Sequence, residues 1–476
     1  MQTEQLYQIY LKHPAISTDT RSITPGSLFF ALKGDKFDAN KFAQQAIEGG
    51  AAYAIIDNPA YRLNEKYILV DDALTALQDL ACFHRSQLNI PVIGLTGTNG
   101  KTTTKELINA VLSQHFKTQF TQGNLNNHIG VPLTVLTIGP THEIAIVEMG
   151  ANHQKEIEFL CTIAQPTHGL ITNVGKAHLE GFGGVEGVKK GKGELYDYLK
   201  KSESPKVGKS ESRKEECGIS SPLLELSPTN RGEQRGVVFI NSDNPVLLEM
   251  QTSRGLSNVV YYGTGGKNNL VNGEIVENSP YLSLQWKNNR NANSHVAKIQ
   301  LTGAYNLDNI LAAICIGIYF DLTDDDINRG IEGYQPKNNR SQILPTATNT
   351  LICDYYNANP SSMVVAIENM DKLSANRKVL ILGDMFELGD EAAAEHEAII
   401  RKALDIAADE RLFIGEEFYI ASESIDHGPW TIDRKSAFFK TAEDAIAALK
   451  VNPIKNSTIL IKGSRGMALE KLVALF

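Results

Sequence analysis

The run Gly94-Leu-Thr-Gly97-Thr98-Asn99-Gly100-Lys101-Thr102-Thr103 concentrates more candidate chemistry than any other stretch of the chain. It follows an apolar run, Ile90 to Thr96, and opens a helix-like stretch, Thr102 to Phe116. Glycines let the backbone fold tightly so that its N–H groups face phosphate oxygens. The helix that follows presents its positive N-terminus to the same anion. Lys101 would neutralise the terminal phosphates, and the Thr102 hydroxyl would ligate Mg²⁺. Leu95 stands where the usual phosphate-loop pattern has its first glycine, with Gly94 and Gly97 on either side. The competing reading is a Gly-rich turn that merely opens a helix. Strand, Gly-Lys-Thr and helix together favour a nucleoside triphosphate.

Three further places carry candidate groups. Glu148 ends the apolar run Glu143-Ile-Ala-Ile-Val-Glu148, where a carboxylate can hold Mg²⁺ beside a phosphate loop. His178 lies beyond another run in the polar, Gly-rich segment Thr172-Asn-Val-Gly-Lys-Ala-His-Leu-Glu-Gly181. A lone histidine is usually structural, but this loop position favours function. Gly187-Val-Lys-Lys190-Gly-Lys192-Gly-Glu194 reads either as a solvated basic helix face or as a segment whose glycines allow a close approach.

Short continuous apolar runs must position these groups. They recur at 90–96, 143–148, 169–172, 236–240, 350–353, 378–382, 411–414 and 457–461. Continuous rather than alternating runs suit strands covered on both faces. Helix-like stretches lie between them, including Asp390 to Ala407 and Ala442 to Lys450. The alternation predicts an α/β protein with mainly parallel sheets, whose ligands bind beyond the carboxyl ends of the strands. Residues 1–85 read as a separate small α/β unit, with a helix from Ala73 to Arg85 leading to the Ile90 strand. A second break falls at Gly333 to Arg340. This divides the chain into 1–85, 86–336 and 337–476. Lys200 to Arg235, rich in Ser, Lys, Glu, Pro and Gly, reads as a flexible surface insertion within the second unit.

The net charge of −9, from 46 basic and 55 acidic residues, disfavours nucleic acid as a partner. Five scattered cysteines without a CxxC spacing argue against a disulfide framework or structural zinc. The N-terminus lacks the pattern of a signal peptide, and no apolar run is long enough to span a bilayer. A cytoplasmic monomer is expected.

Taken in order along the chain, the motifs resemble the Mur ligase family. They include Asp19-Thr-Arg-Ser22, Pro25 to Gly34, Gly97 to Thr103, and Gly123-Asn-Leu-Asn-Asn127-His-Ile-Gly-Val-Pro132. Val147 to His153, Ala177 to Gly183, Asn306-Leu-Asp-Asn309, Asp354-Tyr-Tyr-Asn-Ala-Asn-Pro360, Leu382-Gly-Asp-Met385 and Lys462-Gly-Ser-Arg-Gly-Met467 follow. The resemblance implies three domains: a UDP-sugar-binding domain, a central ATP-binding domain and a Rossmann-like domain that closes on ATP. It implies amide-bond formation through an acyl phosphate. The Asn-Ala-Asn-Pro and Lys-Gly-Ser-Arg-Gly-Met segments favour the branch that joins D-alanyl-D-alanine to UDP-N-acetylmuramoyl-tripeptide.

Roles follow from the resemblance residue by residue. Gly97, Thr98, Asn99, Gly100, Lys101, Thr102 and Thr103 would hold ATP, with Asn306 and Asn309 near adenine. Arg340 and Asp354 would reach the nucleotide from the third domain. Thr20, Arg21, Ser22 and Asn127 would contact the UDP substrate, and Asn357 and Asn359 the dipeptide. Thr102, Glu148, His178 and Lys192 would hold Mg²⁺, with Lys192 carbamylated by CO₂ and Lys190 the neighbouring alternative. Lys101, Glu148, His178 and Lys192 would form the catalytic set. The chain departs from the family pattern at Phe37-Asp-Ala-Asn40, at Lys155 in place of a common glycine, and at Tyr355 in place of a common serine. Two other readings compete: a sibling ligase that adds a single amino acid, and a non-catalytic nucleotide-binding partner.

Overall fold

Three main sheets follow one another along the chain, each with helices from its own segment. The structure is a computed structural model that describes residues 1–177, 179–202, 235–278, 280–337, 339–425 and 435–476. His178 and nearly all of the expected surface insertion, Lys200 to Arg235, lie outside the described residues.

The first sheet runs in the order Ile16–Ser17, Leu28–Phe30, Tyr53–Ile56, Tyr67–Leu69, all neighbours parallel. Helix Ala73–Ser86 starts at Asp72, whose carboxylate accepts from Thr75 N at 2.7 Å. It does more than link two units. Its buried Arg85 donates to the carbonyls of Ala164 (3.0 Å) and Gln165 (3.1 Å), and His84 Nε2 lies 2.8 Å from Ile138 O. Leu77, Leu80 and Ala81 share one core with Val131, Val135 and Ile138 of the next segment. The first unit thus has its own sheet, but it is packed firmly on the second.

The nine-stranded central sheet runs Thr118–Phe120, Ile144–Glu148, Val92–Thr96, His168–Ile171, Val237–Asn241, Val259–Gly263, Asn269–Asn278, Leu282–Asn288, Ser294–Ile299. The neighbours are parallel through Asn269–Asn278, and the last two strands turn back antiparallel. Those last strands alternate buried and exposed positions, as a half-solvated hairpin does, so they lack the continuous apolar run that marks the others. The sheet extends to both sides of Val92–Thr96, and the phosphate loop leaves its carboxyl end at this switch point. The helix after the loop spans Lys101–Leu112, shorter than the pattern suggests, because the chain must turn back at Ser113 to reach the edge strand.

The third sheet runs Gln342–Pro345, Thr350–Asp354, Thr458–Lys462, Lys378–Gly383, Glu410–Ile414, Ser436–Phe439, parallel except for its first edge strand. A strand from the end of the chain is thus inserted between two early ones and aligns Lys462 with both Asp354 and Leu382. Lys155, where a glycine is common in the family, has φ 73° at the start of helix Glu156–Ala164. The left-handed backbone that a glycine would adopt freely is kept here by a residue with a β-carbon.

Candidate active site

A cleft of about 850 Å³ opens where the carboxyl ends of the central and third sheets face each other. The phosphate loop forms one wall. Gly100 takes φ 78° immediately before helix Lys101–Leu112, and a β-carbon there would collide with Asn309 Oδ1. Asn309 in turn accepts from Thr104 Oγ1 at 2.9 Å and donates to Asn306 Oδ1 at 2.9 Å, so helix Asn306–Tyr319 is locked to the loop's helix. Lys101 Nζ donates to Gly97 O (2.8 Å) and Thr98 O (3.2 Å). Burial pushes its ammonium down to about 8, against the upward pull of Glu148.

Glu148 stands at the end of the strand beside the loop, in register with Leu95. Thr102 Oγ1 lies 3.1 Å from Glu148 Oε2, Asn126 Nδ2 donates to Oε1 at 2.9 Å, and Lys105 Nζ is 3.3 Å away. Burial by itself would raise the carboxyl. Lys105, Arg340, Lys101 and the Asn126 amide outweigh it and hold the group below the ordinary carboxylate range. An ionised carboxylate beside a hydroxyl is the hard oxygen set that Mg²⁺ prefers.

The third sheet supplies the opposite wall. Asp354 Oδ2 accepts from the buried Lys462 at 2.6 Å. The Arg340 guanidinium stacks on Tyr356 at 4.0 Å, and its buried Nε has no hydrogen-bond partner among the described residues, as a donor awaiting an anion would. Asn359 caps helix Pro360–Lys372 by accepting from Ser362 N at 2.9 Å, while its Nδ2 donates to Asn99 Oδ1 at 2.8 Å. Asn99 Nδ2 also reaches Ser361 Oγ at 2.9 Å. The phosphate loop is therefore hydrogen-bonded directly to the third domain. Lys176 and Glu395, paired at 2.7 Å, add a second bridge.

The Lys462–Asp354 pair makes a prediction. Lys462→Met should leave a carboxylate without its partner and destabilise the third domain by about 3 kcal/mol, read as a lower urea midpoint. Adding Asp354→Leu should restore most of the loss. Equal midpoints for wild type and Lys462→Met would show that the pair is not a structural one.

Lys192 lies in helix Val185–Lys201, buried to 2% exposure, with Nζ 3.3 Å from Ala151 O and 5.1 Å from the centre of the Phe182 ring. The helix glycines allow that approach: a β-carbon at Gly191 would collide with the Phe182 ring. Burial, aided by the charge of Lys101, pushes the Lys192 amine down to about 7. Lys190, by contrast, is exposed.

The cleft thus gathers Thr98, Asn99, Gly100, Lys101, Thr103, Asn127, Glu148, Asn306, Asn309, Arg340, Asp354, Asn357 and Asn359 along its walls. Gly97, Thr102 and Lys192 do not line it, though Thr102 and Lys192 each touch a lining residue, Glu148 and Ala151. Thr20, Arg21 and Ser22 sit apart, in a short 3₁₀ turn of the first domain. Sequence reasoning missed Lys105, Asn126, Lys462 and Arg465. Lys105 had a signal, since it lies one helical turn beyond Lys101. Among the described residues no helix is long and apolar enough to cross a membrane.

Fold and cleft define a three-domain α/β protein whose phosphate loop faces the third domain across one cleft. Family models cover most of its length: "Mur ligase family, catalytic domain" over residues 14–85, "Mur ligase middle domain" over 95–208 and 228–317, and "Mur ligase, glutamate ligase domain" over 339–465. The chain belongs to the Mur ligase family. It is 34% identical to the UDP-N-acetylmuramoyl-tripeptide--D-alanyl-D-alanine ligase of Bacillus subtilis (strain 168) over 466 residues, 96% of this chain and 92% of that protein. The enzyme of the same name from Escherichia coli (strain K12) is also 34% identical, over 463 residues, with the same coverage. A crystal structure of MurF from Acinetobacter baumannii superposes with a TM-score of 0.80 at 28% identity, covering 99% of this chain and 97% of that one.

Proposed function

We propose that the protein is an ATP-dependent ligase that joins D-alanyl-D-alanine to UDP-N-acetylmuramoyl-tripeptide in the cytoplasm, supplying a peptidoglycan precursor. The observation that carries this reading is the ionised Glu148 held against Thr102 beneath the phosphate loop, across one cleft from Arg340 and Asp354. Two relatives that match nearly end to end bear that enzyme's name, which supports the choice of substrates.

A carboxylate is a poor acylating agent because oxide is a poor leaving group. A carboxylate oxygen of the substrate attacks the γ-phosphorus of ATP, the β–γ bridging bond breaks, and ADP leaves behind an acyl phosphate. The dipeptide amine then attacks the carbonyl carbon, and phosphate leaves as the amine gives up its proton. Two anions meet in the first step. Lys101 and Arg340 screen them and hold the phosphates in line. Thr102 and Glu148 would hold magnesium, with His178 and Lys192 completing the set. When bound, magnesium supplies the remaining neutralising charge. Asn306 and Asn309 face the adenine end. Thr20, Arg21 and Ser22 receive the UDP end, with Asn127 nearer the reaction centre. Lys192 would carry a carbamate, formed when its neutral nitrogen attacks CO₂ and releases one proton. Its burial and lowered basicity favour it over Lys190 for that reaction. The acyl phosphate must be kept from water, and the Asn99–Asn359 and Asn99–Ser361 contacts support closure of the third domain over the loop.

The test is phosphate release with ATP, Mg²⁺, UDP-N-acetylmuramoyl-tripeptide and D-alanyl-D-alanine, omitting one component at a time. Release that requires all four supports the ligase. Release with a single amino acid in place of the dipeptide would move the chain to a sibling activity.

A further inference from the structure

Helix Lys101–Leu112 carries a second lysine one turn after Lys101, and the two are placed differently. Lys101 lines the cleft, with its ammonium turned back to Gly97 O and Thr98 O. Lys105 does not line the cleft. Its side chain is wholly buried, with Nζ 3.3 Å from Glu148 Oε2, 3.5 Å from Gly123 O and 5.9 Å from the centre of the Phe120 ring. Glu148 does line the cleft, so one carboxylate is shared between a sealed cation and the space that would receive the nucleotide.

The carboxylate has other groups to hold it. Thr102 Oγ1 lies 3.1 Å from Oε2, Asn126 Nδ2 donates to Oε1 at 2.9 Å, and Glu148 N donates to Thr121 Oγ1 at 2.9 Å. Gly150 N donates to Asn126 O at 2.7 Å, which ties the Asn126 loop to the same strand end. Orientation therefore does not require Lys105. Stability does not require it either, since apolar side chains of like volume often replace a buried ion pair without loss. Ile108 and Leu112, on the same face of the helix, are buried apolar residues. What Lys105 adds to this place is a fixed positive charge.

We propose that Lys105 is a positioning residue that makes metal binding at Glu148 conditional on the nucleotide. The inference rests on the reading of Thr102 and Glu148 as the magnesium pair. A buried carboxylate beside a hydroxyl would by itself attract divalent ions from solution. An ammonium 3.3 Å from one of its oxygens cancels most of that attraction, because the pair together is close to neutral. The phosphates of ATP bring the negative charge that the pair lacks, and Mg²⁺ is commonly held by one or two carboxylates together with substrate phosphates. The metal then enters and leaves with the nucleotide, and the nucleotide-free site stays free of metal.

The experiment titrates Mn²⁺ into the nucleotide-free protein and into its ADP complex, reading free Mn²⁺ by its paramagnetic resonance signal. The wild type should bind Mn²⁺ far more tightly with ADP than without. Lys105→Met should tighten binding to the nucleotide-free protein by about 10-fold or more, since removing one charge roughly 6 Å from a doubly charged ion gives that much even at the dielectric constant of water. Adding Glu148→Gln should abolish the gain, and Lys105→Arg, which keeps the charge, should bind as the wild type does. A Lys105→Met protein that binds Mn²⁺ no more tightly than the wild type overturns the proposal. A merely structural lysine would give that result, with a lower melting temperature. A nucleotide-free wild type that binds Mn²⁺ as tightly as its ADP complex also overturns it, and that measurement stands even if Lys105→Met does not fold. A Glu148→Gln protein that takes Mn²⁺ with ADP as tightly as the wild type shows instead that the metal reading has failed, and takes this inference with it.

Discussion

Lys101→Ala should lower kcat/KM for ATP by about 10³-fold or more, equivalent to roughly 4 kcal/mol of transition-state stabilisation. The size follows from the electrostatics of the first step. A substrate carboxylate must approach a phosphate that is already anionic, in a cleft whose nearest carboxylate, Glu148, is ionised as well. Lys101 is half-buried on the loop, where a cation is screened less by water than on an open surface. Its amine is held by Gly97 O and Thr98 O, so the charge is in place without reorganisation. UDP-N-acetylmuramoyl-tripeptide binding, measured by calorimetry without ATP, should survive the substitution, because Thr20, Arg21 and Ser22 belong to another domain. Loss of that binding together with phosphate release would mean that Lys101 supports the fold rather than the chemistry.

Lys192→Ala should cost about 10²–10³-fold in kcat, the usual loss when one preorganised charged group is removed from an active site. Lys192→Arg should be equally impaired and should not recover with added bicarbonate, since a guanidinium forms no carbamate. The wild-type protein offers a readout independent of activity. With ¹³C-labelled CO₂, a carbamate carbon signal should appear in the wild type and be missing from Lys192→Ala. The pH dependence has a defined sign. Only the neutral amine attacks CO₂, and burial has brought the amine down to about 7. The signal should therefore grow as pH rises from 6 to 8 and fade below 6. A signal that persists in Lys192→Ala would place the carbamate on another lysine. Full activity of that variant would remove Lys192 from the mechanism.

Much of the site could be read from the chain because its parts are local. The phosphate loop needs only a strand, a few glycines and a helix start in sequence, and each leaves a mark. The parallel strands leave apolar runs because both their faces are covered. The half-exposed hairpin Leu282–Asn288 and Ser294–Ile299 leaves only a weak alternation and went unread. The lysine pair 190 and 192 shows the limit most clearly. In sequence they are near-equivalent basic residues flanking a glycine, yet one is exposed and the other buried against Phe182. Which face of the helix turns inward depends on the sheet and on helix Leu179–Phe182 packed against it.

The sequence alone determined the α/β class, the phosphate loop, the positions of Lys101, Thr102 and Glu148, and the family. Each rests on short-range pattern or on motif order. Tertiary structure decided which distant groups meet. Asp354 and Lys462 are 108 residues apart and pair because the last strand is inserted beside Thr350–Asp354 in that register. Asn99 and Asn359 are 260 apart and bond because two switch-point loops face each other across the cleft. Strand order and domain packing are properties of non-local pairing, and no local propensity encodes them.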